Sequence, residues 1–150
     1  MPEHIALDQV ESTLMRLIEM LRDSQEEFRE IGERVHDERT KHFFLEETQK
    51  RAGYAAELEN ELHRMGVHDV KAAATRVGKA RLHWTEVKAN LAGHEQTLMQ
   101  AMEESEDRTR DAYAGALREE LPLPLREMLD RHFAHIQRSH DQVKALRDKC

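Results

Sequence analysis

Five residues could build a chemical centre if the helices carrying them face one another: Glu27, Glu47, Glu103, Glu106 and His140. Ile136, His140 and Val143 follow at spacings of four and three, so on a helix they share one face. His140 thus stands where an aliphatic side chain is the ordinary choice. A histidine there is a metal ligand, an acid or base, or a core residue held by a hydrogen bond. Di-metal bundles need a glutamate from each of two helices and Glu-x-x-His from the other two, because the i, i+3 spacing aims both groups inward. This chain offers Gln137-x-x-His140 and Glu47-x-x-Lys50, so one histidine is missing and one carboxylate is an amide. The corresponding cofactor, if the set is used, is iron or another divalent metal; the incomplete set favours no cofactor.

Arg51 raises a separate question, because it falls on an apolar stripe. A buried guanidinium is costly unless it is paired and hydrogen-bonded. Ser24 is small enough to leave it space, and Asp23, Glu27 or Glu106 can supply charge. The preferred reading is a structural ion pair that fixes helix register. An anion or ligand site in the core, or a side chain reaching out to solvent, are the alternatives. Asp23, Ser24, Arg51 and His132 are expected to form a polar layer half-way along the molecule.

The elements that must position these groups are helices. Leu14, Leu17, Leu21, Ser24, Phe28, Ile31 and Val35 alternate steps of three and four. Asp8 with Glu11 resembles a capping box for this first helix, over about 8–36. Asp37 can cap a second, over about 38–65, whose seam reads Phe44, Thr48, Arg51, Ala55, Leu58, Leu62 and Met65, with Gly66 placed to end it. A crossover helix is expected over about 70–91, between Asp69 and Gly93, with Trp84 on its stripe. The third bundle helix, about 94–119, carries Leu98, Met102, Ser105, Thr109, Ala112 and Ala116, with Tyr113 beside the seam. The prolines of LPLP break it, and a fourth follows over about 123–148 with Leu125, Leu129, His132, Ile136, Ser139, Val143 and Leu146. The first and fourth bundle helices should run parallel, as should the second and third.

Composition agrees. The chain has 150 residues, 35% of them charged, with three prolines and six glycines, which suits one all-α domain over residues 1–150. The net charge of −7 offers no basic block to neutralise phosphates, so no nucleic-acid partner is expected. No apolar run is long enough to span a membrane, and MPEHIALDQV does not read as a signal peptide, so a cytoplasmic location is expected. The single cysteine, Cys150, cannot form an internal disulfide. Ten histidines are many. The pairs His132 and His135, His63 and His68, and His36 and His42 could bind surface metal, but most are read as ordinary exposed residues. His132 differs because it lies on a seam; a neutral, buried His132 or His140 would make stability fall below about pH 6.

The stretches LIEMLRDSQEEFREIGERV, FLEETQKRAGYAAELENELHRMG, SEDRTRDAYAGALREELP and HIQRSHDQVKALRD, in that order, resemble ferritin-like four-helix-bundle proteins of unknown function from proteobacteria, over about residues 8–148. The resemblance implies a ferritin-like four-helix bundle with a long helical crossover between the second and third bundle helices, often paired with itself or with other domains. It implies no activity. The family's Asp-Gly-x-x-Gly-Phe stands here as Asp23-Ser24-x-x-Glu27-Phe28, and the crossover tryptophan matches Trp84 in a more helical stretch.

Two functions follow. The first is a non-enzymatic bundle that forms a homo-oligomer or binds a protein partner, since no phosphate loop, Cys–His pair or Ser–His–Asp order stands out. The second is a di-iron or other di-metal protein with ferroxidase or peroxide-consuming activity.

Overall fold

The computed structural model describes residues 6–67 and 95–149. They form four helices: α1 (Leu7–Arg34), α2 (Glu38–Arg64), α3 (Glu95–Leu117) and α4 (Leu123–Lys149), with no strand among the described residues. None of these helices is long and apolar enough to cross a membrane. The expected crossover helix, with Asp69, Trp84 and Gly93, lies outside the described residues, as do His68 and Cys150.

Helix ends follow local chemistry. Asp37 caps α2 by accepting from the backbone N–H and the hydroxyl of Thr40, both at 2.9 Å. At the other end Gly66 has φ +87°, and the Gly66 and Val67 N–H groups bond the carbonyls of His63 and Leu62. This paired closure needs a left-handed residue, which glycine adopts without strain. The capping box at Asp8 is not formed. The N-cap is Ala6, whose carbonyl accepts from both Gln9 and Val10, so Asp8 sits inside the first turn, where its charge still suits the helix dipole. Between α3 and α4, Arg126 donates to the carbonyls of Leu117 at 2.8 Å and Glu119 at 2.6 Å. It thereby satisfies groups that a helix C-terminus leaves open.

The helices pack with alternating directions. Thr13 on α1 bonds Glu119 just past α3, while the His36 N–H past the far end of α1 meets Glu95 at the start of α3. α2 and α4 are likewise antiparallel, with Glu57 beside Arg131 and Glu47 beside His135. α2 and α3 therefore run parallel, and the end of one and the start of the other lie at opposite ends of the bundle.

Two apolar clusters fill the interior. One gathers Leu14, Leu17, Leu21, Leu58, Leu62, Tyr113, Leu125 and Leu129; the other gathers Phe28, Ile31, Phe44, Leu98, Met102 and Val143. On α3 the core face turns from the expected Ala112 to Tyr113, which is fully buried. Gly32 lets α1 and α2 approach closely beside the Phe28, Phe43 and Phe44 cluster. The two clusters are separated by a layer of buried polar side chains.

Candidate functional site

Arg51 occupies the centre of this layer. Its Nη1 donates to Ser24 Oγ at 3.0 Å and Glu106 Oε1 at 2.8 Å; its Nη2 donates to Glu106 Oε2 at 2.9 Å and Ser139 Oγ at 3.1 Å. One guanidinium on α2 thus bonds all three other helices. Glu47, one turn before Arg51 on the same helix, adds a longer contact to Nη2 at 3.4 Å. The Phe28 ring lies 4.9 Å from the guanidinium carbon. Burial alone would lower the Arg51 pKa, but the charge and hydrogen bonds of Glu106, with Glu47 behind them, hold it above the usual range. Ser24 and Glu106 are the partners taken up from those the sequence suggests; Asp23 and Glu27 do not bond Arg51.

Glu47 turns its other oxygen to His135 Nε2 at 2.7 Å. Burial pushes the Glu47 carboxyl up, yet the His135 bond and the charges of Arg51, His135 and Lys50 outweigh it and hold it below the ordinary range. His135 is therefore not one of the freely exposed histidines. The same holds for His132, which is completely buried. Its Nδ1 lies 2.9 Å from the Tyr113 hydroxyl and its Nε2 3.3 Å from Glu57 Oε1, with the ring stacked on Tyr54 at 4.0 Å. A neutral imidazole satisfies both contacts if Tyr113 donates to Nδ1 and Nε2–H donates to Glu57. Burial pushes His132 down to about 4 against the pull of Glu57, and burial also raises the Tyr113 phenol well above its ordinary value. Both groups keep one protonation state around neutrality, so the chain Tyr113–His132–Glu57–Arg131 is not poised to exchange protons there.

The remaining residues of the expected metal set lie in separate settings. Glu103 pairs with Arg147. His140 Nε2 meets Asp107 Oδ1 at 2.6 Å and Arg110 Nη1 at 3.4 Å, and its Nδ1 faces Asp141. Glu27, on α1, bonds Ser105 on α3; burial first, then Asp23 and Glu106, push its carboxyl up to about 7 against the Ser105 bond and the charge of Arg108. The structure thus gathers Glu47 and Glu106 around Arg51, while Glu27, Glu103 and His140 have other neighbours. Among the described residues no three His, Cys, Asp or Glu side chains converge as the expected di-metal set would require.

Sequence reasoning missed two members of the layer, His135 and Tyr113. The i, i+4 pair Glu47 and Arg51 was a visible signal for one shared cluster. The partner of Glu47 on α4 had none, since His135 lies just off the seam beside Ile136.

Comparison with known families matches residues 9–119 to one described as a domain of unknown function (DUF2383). The matched stretch holds Ser24, Glu47, Arg51 and Glu106, while Ser139, His132 and His135 lie beyond it. No curated protein matches the chain.

Proposed function

This chain belongs to the family of unknown function DUF2383, and we propose that it is a non-enzymatic, ferritin-like bundle that self-associates or binds a protein partner. The observation that carries this reading is the guanidinium of Arg51, which sits among Ser24, Glu106 and Ser139 where a di-metal bundle would hold its ions. A fixed cation there satisfies the central carboxylates without a metal. The buried acid–base candidates His132 and Tyr113 are held away from neutral pKa values, which also speaks against catalysis at that point. Parallel α2 and α3 joined by a long connection support the ferritin-like assignment. Exposed Leu7 and Leu123, in the first turns of α1 and α4 at one end of the bundle, are apolar surface available to a partner.

Light scattering of the purified chain, beside an iron titration of metal-free protein, tests the reading. The expected result is an assembly larger than one chain, or a monomer that copurifies with a defined protein, and no stoichiometric iron uptake at the bundle centre. Stoichiometric iron binding with oxidation, lost in Glu47→Ala and in His140→Ala, would replace it with the di-metal reading.

A further inference from the structure

α1 and α3 enclose a small cavity of about 120 Å³ lined by Met20, Asp23, Glu27, Ser105, Arg108 and Thr109. Glu27 is only 4% exposed, and its Oε2 has no hydrogen-bond partner. Its other oxygen is the one available to Ser105. Asp23, one turn earlier on the same face of α1, places a second, nearly buried carboxylate in the lining. The Thr109 hydroxyl donates to the Ser105 carbonyl at 3.2 Å, which leaves its oxygen lone pairs for another group. A buried carboxylate oxygen without a partner is costly.

We propose that this cavity is a binding site for a small, hard divalent cation, Mg²⁺ or Mn²⁺, held by the carboxylates of Glu27 and Asp23 with water completing its shell. The donors decide the class. Among the described residues they are all oxygens, with no imidazole or thiol to favour zinc or copper. Two carboxylates are too few for the six to eight protein oxygens typical of a calcium cage, whereas Mg²⁺ commonly keeps several waters and takes one or two carboxylates. The volume leaves room for that water, since each molecule needs only about 10–15 Å³ of such space. Among the described residues the positive charge acting on Glu27 is that of Arg108, exposed at the rim, and a cation would add to it. The site is distinct from the bundle centre, where Arg51 already balances Glu47 and Glu106.

The test is a Mn²⁺ titration of the full chain followed by electron paramagnetic resonance at about pH 8, where the Glu27 carboxyl is ionised, with Mg²⁺ as competitor. One saturable site with a dissociation constant of about a millimolar or below is expected, displaced by Mg²⁺. Glu27→Gln should weaken it about tenfold or more, and Glu47→Gln should leave it unchanged. Glu27→Gln removes a buried charge and keeps the shape, so circular dichroism should show the variant folded. Absence of saturable binding, or binding that survives Glu27→Gln, would overturn the proposal. Equal loss in Glu47→Gln would also overturn it, because the ion would then sit at the bundle centre and the reading of that centre would fail instead.

Discussion

The two terminal nitrogens of Arg51 lie 2.8 and 2.9 Å from the two oxygens of Glu106, a fork-to-fork pair between α2 and α3 with neither side chain exposed. Such a pair has fixed geometry at both ends. Ser24 and Ser139 extend it to α1 and α4, so the relative heights of all four helices meet at one planar group. A one-residue slip moves a helix by about 1.5 Å along its axis, enough to break these bonds. The aliphatic seams alone tolerate more sliding, because Leu, Ile and Met interchange with little loss. The polar layer therefore contributes register more than stability.

Breaking the pair from one side should cost far more than removing both partners. Glu106→Leu leaves a buried guanidinium uncompensated and should lower the unfolding free energy by about 3–5 kcal/mol. Adding Arg51→Met should restore much of that loss. Urea unfolding of the two single variants and the double variant measures the coupling; a double variant as unstable as the sum of the singles would show that the two side chains act independently.

Acidification should destabilise the protein through His132. Its facing groups are Tyr113, Tyr54, Glu57 and Arg131, and burial holds it at about 4 in the folded chain against 6.5 when free. Below pH about 6.5 the unfolded chain takes up a proton at this histidine that the folded chain refuses, so the His132 contribution to stability is full above that value and falls toward pH 4. The loss approaches about 3 kcal/mol at the lower limit. Carboxylates held low, such as Glu57, add their own loss only below about pH 4.5, whereas Glu27, held at about 7 in the folded chain, gains stability as pH falls from 7 to 4.5 and opposes the histidine over the same window. The difference in unfolding free energy between the native chain and His132→Gln, in which the Glu27 contribution is common to both, should shift against the native chain as pH falls from 7 to 4.5; a difference constant with pH would exclude burial of a neutral imidazole.

The long seams were the most legible part of the molecule. Leu14, Leu17, Leu21, Phe28, Ile31 and Val35 are all buried, because large aliphatic and aromatic residues at steps of three and four leave one orientation for α1. α3 was harder. Alanines mark a stripe weakly, and a step of four from Thr109 leads to Tyr113 rather than Ala112. Arg51 stood out because a charge interrupts an apolar row, and the small residues Ser24 and Ser139 mark its level on other helices. The Glu47–His135 bond was hidden, since it depends on how far α4 rotates toward α2. That rotation is set by packing across the bundle, not by either helix's own pattern. Separate local pairs for Glu103 and His140, with Arg147 and Asp107, arise the same way.

Asp37 should be worth more than a surface carboxylate usually is. It accepts two bonds from Thr40 at the start of α2. Its pKa is held below the ordinary range mainly by the Thr40 N–H and hydroxyl. Asp37→Ala should lower stability, and Asp37→Asn by less, because the amide oxygen still caps. Thermal unfolding of the two variants checks the order.

Two helical glycines should respond to alanine with opposite sign. A Cβ at Gly53 meets nothing within 4 Å on an exposed part of α2, so Gly53→Ala should raise stability by about 0.5–1 kcal/mol through helix propensity alone. A Cβ at Gly32 would lie 3.1 Å from the Cβ of Phe44 and 3.3 Å from a Leu45 methyl. Leu45 can swing aside, but the Phe44 Cβ moves only with the α2 backbone, and its ring is wedged against Phe28 and Phe43. Relieving the contact means parting α1 and α2 beside Gly32, which loosens the apolar cluster at that end. Overpacking of this kind costs about 1–3 kcal/mol, more than the propensity gained, so Gly32→Ala should be net destabilising. Paired thermal melts of Gly32→Ala and Gly53→Ala decide the matter; stabilisation by both would mean that α1 and α2 have slack beside Gly32.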